Sequence, residues 1–186
     1  TGTGACSVTM SAPRTVGASF AVIALVPENV VWTNAVGVSV SGNTLTKTVK
    51  KAWGNAGAAS TRAIGSGSGY AEFTLATTSR ETMFGLSNGD TNQGYADIDY
   101  AFYANSRGVL LVYEKGVRIA SFGAYAVNDT VRVSVEAGVV KYWRNGVLLR
   151  TSSAAATYPL RVDTALNNAG STVNNAKIAG TLVTLP

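Results

Sequence analysis

The sequence predicts an all-β fold, an antiparallel two-sheet β-sandwich, and three observations support this prediction. Short segments of alternating apolar and polar residues recur at spacings of about 8 to 12 residues, which is typical of sandwiches. Glycine occurs 20 times, and threonine, serine, valine and alanine are common, a composition that suits strands and turns. With 46% hydrophobic and 13% charged residues, the chain can bury the core of one main domain.

The first 26 residues are predicted to form a segment of their own. Cys6, Val8 and Met10 alternate with small residues, and Ala18 and Phe20 do likewise, which predicts a hairpin. This pattern resembles the end of a bacterial internalin-type B-repeat-like domain, through Gly4, Cys6, Val8, Met10, Val16, Ala18 and Phe20. We therefore assign residues 1–26 to the tail strands of a preceding repeat domain and residues 27–186 to the sandwich. Alternatively, residues 1–26 are the first strands of the sandwich itself.

The sandwich is predicted to begin with valine-rich strands that are followed by glycine-rich loops. Alternating valines at 36–40 predict a strand that ends in the turn at 41–43. The segment around Trp53 and the GSGSG stretch at 65–69 are predicted to be loops. The following segment, GYAEFTLA at 69–76, alternates again, so its apolar residues should face the core.

The YADIDYAFY segment, residues 95–103, predicts a strand with two different faces. Its apolar face carries Ile98, Tyr100 and Phe102. Its other face carries Asp97, Asp99 and Tyr103. Because an unpaired carboxylate is costly to bury, the aspartate face should contact water or a ligand.

The last strong strand signals lie at 131–136 and 139–150. Valines alternate with polar residues in the first of these segments. Asn145-Gly146 divides the second segment and predicts a hairpin turn, because both residues tolerate a positive φ. Tyr142 should point into the core, and Trp143 should lie on the opposite face of the same strand.

The order of the motifs GLSNGD, DIDYAFY and V-x-Y-x-x-N-G resembles that in the concanavalin A-like lectin/glucanase superfamily. The similarity covers about residues 28 to 186 and is greatest to bacterial SPRY and laminin-G-like jelly rolls. It implies a concanavalin A-like jelly roll of the kind that is appended to secreted bacterial enzymes or adhesins and binds glycans or proteins. The fold alone does not determine which function the chain has.

Composition and charge exclude several classes of function. The absence of histidine excludes Ser-His-Asp and Cys-His catalysis. Asp97 and Asp99 could still serve as an acid and nucleophile pair, so a glycosidase remains a minor alternative. The net charge is +5, but the basic residues are scattered apart from Lys47, Lys50 and Lys51, which we expect to protect an edge strand or to solvate a face. We therefore expect no nucleic-acid binding, and the apolar runs are too short for membrane insertion.

Glycan binding requires exposed aromatic rings beside planar amide or carboxylate groups. Trp53 is the first candidate, because it lies among small and polar residues, although core placement remains open. The polar face of the YADIDYAFY segment is the second candidate, and we expect Trp32 to lie in the core. The predicted ligand-binding residues are Trp53, Asn55, Tyr95, Asp97, Asp99, Tyr103 and Trp143.

The SNGDTNQG segment contains candidate ligands for a calcium ion. Asn88, Asp90 and Asn92 offer amide and carboxylate oxygens in an irregular loop, which hard cations prefer, and Asp97 and Asp99 could add two more carboxylates. The segment lacks the glutamate that closes an EF-hand, and Asn-Gly-Asp is also an ordinary turn sequence. A polar loop without metal is therefore the alternative, and we expect no cofactor other than a structural calcium ion.

We predict a non-catalytic, extracellular carbohydrate-binding module of a bacterial protein. Its expected partners are an extracellular polysaccharide or glycan and other modules of the same polypeptide. It would hold an attached enzyme or a cell near that polysaccharide. The alternative is a structural or protein-interaction module, SPRY-like, in a bacterial surface protein or adhesin, which should expose an extended apolar patch.

Overall fold

The computed structural model describes residues 24–185, and these confirm the predicted all-β fold. They contain one short 3-10 helix, η1 (Tyr95–Asp97), no α-helix, and no helix that could cross a membrane. The strands are β1 (Glu28–Asn29), β2 (Trp32–Val36), β3 (Val38–Ser41), β4 (Thr44–Lys47), β5 (Gly57–Thr74), β6 (Thr82–Ser87), β7 (Tyr100–Ala104), β8 (Val109–Glu114), β9 (Val117–Ala124), β10 (Thr130–Glu136), β11 (Val139–Arg144), β12 (Val147–Ala155), β13 (Leu160–Leu166) and β14 (Thr172–Thr184).

The predictions for the N-terminal segment fall almost entirely outside the described residues. The repeat-domain tail at 1–26 and its Cys6 are among them, apart from residues 24–26. The first described strand, β1, begins at Glu28, close to the predicted start of the sandwich. The division of the chain at 26/27 therefore stays a prediction.

The strands form two packed layers that share one long strand. All strand pairs are antiparallel. The strands follow one another in the order β12-β11-β10-β5-β13-β6-β7-β8-β9, and β14 also pairs with β5. The first half of β5 pairs with β13 and its second half pairs with β10. The core lies between the layers, where Phe73 contacts Phe84 at 4.7 Å between ring centroids and Phe102 contacts Tyr142 at 5.4 Å.

The GSGSG stretch at 65–69 is part of β5, so its prediction as a loop is wrong. The stretch lies where β5 leaves its pairing with β13 and begins to pair with β10. Gly67 adopts φ +71°, and a Cβ on Gly69 would lie 2.5 Å from the carbonyl oxygen of Ala179. Glycine is needed here because the strand bends between layers while β14 packs closely against it.

The two-residue alternation predicted for β10 is confirmed. Val131, Val133 and Val135 are fully buried, and the residues between them face outward. The hairpin between β11 and β12 is also confirmed, because Asn145 and Gly146 both adopt a positive φ.

The YADIDYAFY segment differs from its prediction at its start. η1 occupies its first three residues, and the strand β7 begins only at Tyr100. Tyr100 and Phe102 face the main core as predicted. Ile98 does not, because it packs with Met83 and Ala165 on the other side of the layer. The 3-10 turn interrupts the alternation of a strand, which is why the prediction for Ile98 is wrong.

Lys47 is buried, which contradicts its prediction as an edge-protecting surface residue. Only 2% of it is exposed. Its ammonium donates to the carbonyl oxygens of Ala52 (2.7 Å) and Leu166 (2.8 Å) and to Oδ1 of Asn55 (2.5 Å). All the donors of this ammonium are used, so the buried charge is compensated and the segment before β5 is tied to β13.

Candidate functional site

A cavity of about 680 Å³ lies on the outer face of β5, β10 and β11. We call it the Trp143 groove. The polar and aromatic side chains that line it include Tyr70, Glu72, Arg132, Ser134, Glu136 and Trp143. Leu25 also lines it, from the segment that precedes β1.

Strand register places these side chains in rows across three strands. Arg132 on β10 lies opposite Glu72 on β5 and opposite Trp143 on β11. In the next row, Ser134 lies opposite Tyr70. Alternate residues of a strand share one face, so the same register that buries the valines of β10 directs this polar set outward.

Arg132 is fixed by contacts on two sides. Its Nε and Nη2 donate to Oε2 of Glu72 at 3.0 and 2.6 Å. Its guanidinium carbon lies 3.8 Å from the centre of the Tyr70 ring, a cation–π contact. The guanidinium, one carboxylate and one aromatic ring are thus held in a defined arrangement in the groove.

Trp143 is half-buried, and its indole is oriented by a chain of hydrogen bonds. Its Nε1 donates to Oγ of Ser134 at 2.9 Å, and that hydroxyl donates to Oε1 of Glu136 at 3.2 Å. Lys141 forms an ion pair with Glu136. The indole ring therefore lines the cavity in one orientation, beside a carboxylate and an ammonium group.

Only Trp143 among the predicted ligand-binding residues lies in this groove. The alternation of β10 places Arg132 and Ser134 on the outer face, so the sequence pattern already indicated that these two residues lie on the side of the groove. Tyr70 and Glu72 were missed, because they reach the groove only through the pairing of β5 with β10, which the local sequence does not encode.

A second region brings three other predicted residues together. Trp53, Tyr95 and Tyr103 form an edge-to-face cluster with Tyr113, which we call the aromatic cluster. The centroid distance is 5.3 Å from Trp53 to Tyr95 and 5.8 Å from Trp53 to Tyr103. All four rings are half-buried and pack over a small apolar cluster that includes Ile98.

The hydroxyl of Tyr103 ties the aromatic cluster to Glu81, the residue that precedes β6. It donates to Oε1 of Glu81 at 3.0 Å. Burial, together with this hydrogen bond and the charge of Glu81, raises the pKa of Tyr103 well above that of a free tyrosine. The four rings of the aromatic cluster pack mainly against each other, whereas the Trp143 ring lines the cavity of the groove.

Asn55 and Asp99 are engaged within the protein. Asn55 accepts from Lys47 and donates to the carbonyl oxygen of Lys50 at 3.3 Å. Asp99 accepts from the backbone N–H of Asn88 at 2.8 Å, and Lys115 lies 3.8 Å from its carboxylate. Both side chains hold loops in place.

The aspartates considered for glycoside hydrolysis do not share one strand. Asp97 lies in η1 and Asp99 precedes β7, so the alternation that would aim both carboxylates at one sugar is absent. Asp97 accepts from the backbone N–H of Thr91 at 2.7 Å and from its hydroxyl at 2.5 Å. Asp97 and Asp99 are therefore both engaged with backbone groups of the loop, which disfavours the glycosidase alternative.

The residues considered for calcium lie in the loop between β6 and η1. Asp90 Oδ2 accepts from the side chain of Asn34 at 2.6 Å. The amides of Asn88 and Asn92 bond within the protein, to the carbonyl of Pro159 and to Thr91 and Gly94. The carboxylates of Asp90, Asp97 and Asp163 come together, with one oxygen of each within 4.8 Å of the others.

Asp163 was not among the metal ligands predicted from the sequence. It lies in the middle of β13, far along the chain from the loop. Its sequence neighbours Val162 and Thr164 give no local signal of a ligand, since RVDTAL reads as an ordinary strand. Only the pairing of β13 with β6 brings it to the other two carboxylates.

Comparisons with known proteins identify the fold. No protein-family model matches the sequence, and no curated protein matches it. The VIP36 exoplasmic/lumenal domain, in its Ca²⁺/Man3GlcNAc-bound form, has a TM-score of 0.59 at 6% identity, over 83% of this chain and 85% of that chain. The carbohydrate recognition domain of Emp47p has a TM-score of 0.54 at 13% identity, over 80% and 88%. The TRIM65 PSpry domain has a TM-score of 0.60 at 11% identity, over 79% and 88%.

These likenesses agree with the arrangement of strands in two antiparallel layers. At such low identity they establish the fold and leave the ligand open. The predicted fold is confirmed: this chain has the concanavalin A-like jelly-roll fold that these lectin and SPRY domains share.

Proposed function

We propose that this chain is a non-catalytic carbohydrate-binding module and that the Trp143 groove is its glycan site. One observation carries the proposal: a half-buried indole and a tyrosine ring line a cavity of about 680 Å³ together with two carboxylates and a guanidinium. Sites for small ligands combine an apolar or aromatic floor with a few fixed polar groups, in volumes of about 300 to 1,000 Å³.

The chemistry of the groove suits a sugar ring. The C–H face of a pyranose can stack on the Trp143 ring, and its hydroxyl groups can donate to the carboxylates of Glu72 or Glu136. The guanidinium of Arg132 can donate to ring or hydroxyl oxygens. Because Glu72, Tyr70 and Ser134 already hold these groups, little side-chain entropy is lost when a ligand binds.

We further propose that the ligand is an extracellular polysaccharide or glycan and that the module holds an attached enzyme or a cell near it. The Emp47p neighbour is a carbohydrate recognition domain, and the VIP36 neighbour was solved with Man3GlcNAc, which supports a glycan ligand for this fold. The absence of histidine and the hydrogen bonds that engage Asp97 with Thr91 and Asp99 with Asn88 support a binding role without catalysis. Tethering would raise the local concentration of the attached module at its target.

The test is affinity electrophoresis of the purified chain in gels that contain soluble polysaccharides, with pull-downs on insoluble ones. We expect Trp143→Ala to weaken the association constant for a retained polysaccharide at least about tenfold, which corresponds to about 1.4 kcal/mol. Trp143→Phe should lose less, because it keeps an aromatic ring. Trp53→Ala, which changes the aromatic cluster on the other layer, should bind like the unchanged chain.

Two outcomes would contradict this proposal. Full binding by a folded Trp143→Ala variant, combined with loss in Trp53→Ala, would move the site to the aromatic cluster. No retention on any polysaccharide by the folded chain would contradict glycan binding altogether. It would favour the second candidate function, protein recognition, which the exposed apolar residues Val117 and Ile119 on the edge strand β9 support.

A further inference from the structure

We propose that a divalent cation of the size of calcium binds between the carboxylates of Asp90, Asp97 and Asp163, and that it fastens the loop between β6 and β7 onto strand β13. This inference does not rest on the proposed glycan site, which lies on the other layer of the sandwich. It also differs from the site expected from sequence, since Asp163 is a new ligand and Asn88, Asn92 and Asp99 are not part of the trio.

The spacing of the three carboxylates fits one calcium ion. One oxygen from each lies within 4.8 Å of the others. Calcium–oxygen distances of about 2.3 to 2.6 Å allow two ligands of the same ion to lie up to about 4.6 to 5.2 Å apart. Magnesium demands near-ideal octahedral geometry and gives up its water reluctantly, so a site built from three protein carboxylates favours calcium. Loop carbonyls and water would complete the six to eight ligands that calcium takes.

Asp163 is the observation that points to a ligand. Its side chain is buried, with 2% of the residue exposed, and its Oδ1 accepts from the backbone N–H of Thr164 at 2.6 Å. Its Oδ2 is also buried and has no hydrogen-bond partner in the structure. A buried carboxylate oxygen without a partner is costly, and this one belongs to a group that faces two further carboxylates.

No cation in the described part of the chain forms an ion pair with the three carboxylates. Within residues 24–185, none of the ion pairs involves Asp90, Asp97 or Asp163. Arg161 is the basic residue whose charge acts on Asp163, but its Nη2 donates to the carbonyl oxygen of Ser60 at 2.7 Å.

The site connects to the aromatic cluster through η1. Asp97 ends η1 and Tyr95 begins it, and the Tyr95 ring packs on Trp53 at 5.3 Å. A cation that holds Asp97 against Asp163 would therefore also hold Tyr95 on Trp53. This gives the site a spectroscopic signature, because the fluorescence of a tryptophan responds to its contacts.

Isothermal titration with CaCl₂ and, separately, MgCl₂ tests the proposal on the whole chain after treatment with EDTA, without any glycan. We expect calcium to bind at least about tenfold more tightly than magnesium, to raise the melting temperature and to change tryptophan fluorescence. Asp163→Asn and Asp90→Asn should each weaken calcium binding at least about tenfold, because affinity depends on the number of charged ligands. Asp99→Asn, which alters a carboxylate outside the trio, should bind calcium within about threefold of the unchanged chain.

Three results would overturn the inference. They are no calcium-dependent heat or melting shift in the folded chain, equal binding of magnesium, and unchanged calcium binding in Asp163→Asn. If Asp163→Asn does not fold, Asp90→Asn decides, because Asp90 is only partly buried and its amide keeps an acceptor for Asn34. Since no glycan is present, failure here leaves the Trp143 groove untouched, and failure of glycan binding leaves this inference untouched.

Discussion

Replacing Lys47 by methionine tests whether a buried ammonium group holds the segment before β5. Methionine keeps the length and apolar character of the stem but removes the three hydrogen bonds to Ala52, Asn55 and Leu166. Two backbone carbonyls and one amide oxygen then lose their donor at a site that is 2% exposed. The variant should therefore be markedly less stable than the original chain, even though the surface of the protein hardly changes.

The size of the effect follows from these contacts. A hydrogen bond to a charged group contributes about 1.5 to 3 kcal/mol, and the three contacts are not additive. The variant also leaves three buried neutral acceptors, each of which costs about 1 to 3 kcal/mol when unsatisfied, so we expect a total loss of about 3 to 5 kcal/mol. With a urea m-value of about 2 kcal/mol/M, the midpoint of unfolding should fall by about 1.5 to 2.5 M.

Urea unfolding followed by circular dichroism measures this change, and Lys51→Met is the matched control. The Lys51 side chain is 64% exposed and lies 4.0 Å from Glu81, so its loss should change the free energy of unfolding by less than about 0.5 kcal/mol. Glycan binding by folded Lys47→Met should be unchanged, since Lys47 does not line the groove. A difference of less than about 1 kcal/mol between the two variants would refute the structural role given to Lys47.

Two further predictions concern stability. Gly85→Ala should prevent folding or lower the free energy of unfolding by at least about 3 kcal/mol, because the added Cβ would lie 1.8 Å from the carbonyl oxygen of Tyr100 and push β6 away from β7. A native circular dichroism spectrum with an unchanged melting temperature would contradict this prediction. At Asp129, burial favours the neutral acid, but hydrogen bonds from the Ala126 N–H and the Asn145 amide, with the charge of Arg144, lower the pKa overall. The carboxylate therefore stabilises the folded protein above its unfolded pKa of about 3.9, and this stability is lost as the pH falls through the lower pKa of the folded state. Urea unfolding should show that Asp129→Asn lowers the free energy of unfolding at pH 7. Near pH 2 the variant should match the original chain.

Local sequence patterns predicted the features that depend on neighbours along the chain. The alternating valines of β10 and the Asn145-Gly146 turn were predicted correctly, because side-chain alternation and positive φ are local properties. The GSGSG stretch was predicted wrongly for the same reason. A run of glycines indicates a loop when only the local sequence is considered. In β5 the glycines instead permit a bend, which is required because the strand passes between the two layers and packs closely against β14.

The candidate sites depend on long-range pairing, and sequence reasoning recovered them only in part. Trp53 and Tyr95 were chosen separately, and the structure shows that their rings touch. Asp163 and Glu72 were not chosen, since each reaches its site only through the register of strands far apart in sequence. Lys47 looked like one of three surface lysines, and only its burial in the folded chain distinguishes it.

The most direct test of the glycan site is a nuclear magnetic resonance titration that follows the indole N–H signals. The chain has three tryptophans, so the ¹H–¹⁵N spectrum contains three such signals that single substitutions can assign. An oligosaccharide from a retained polysaccharide should shift the signal of Trp143, whose Nε1 bonds to Ser134 beside the groove, and leave those of Trp32 and Trp53 in place. A shift of the Trp53 signal with an unmoved Trp143 signal would contradict the assignment of the glycan site to the groove.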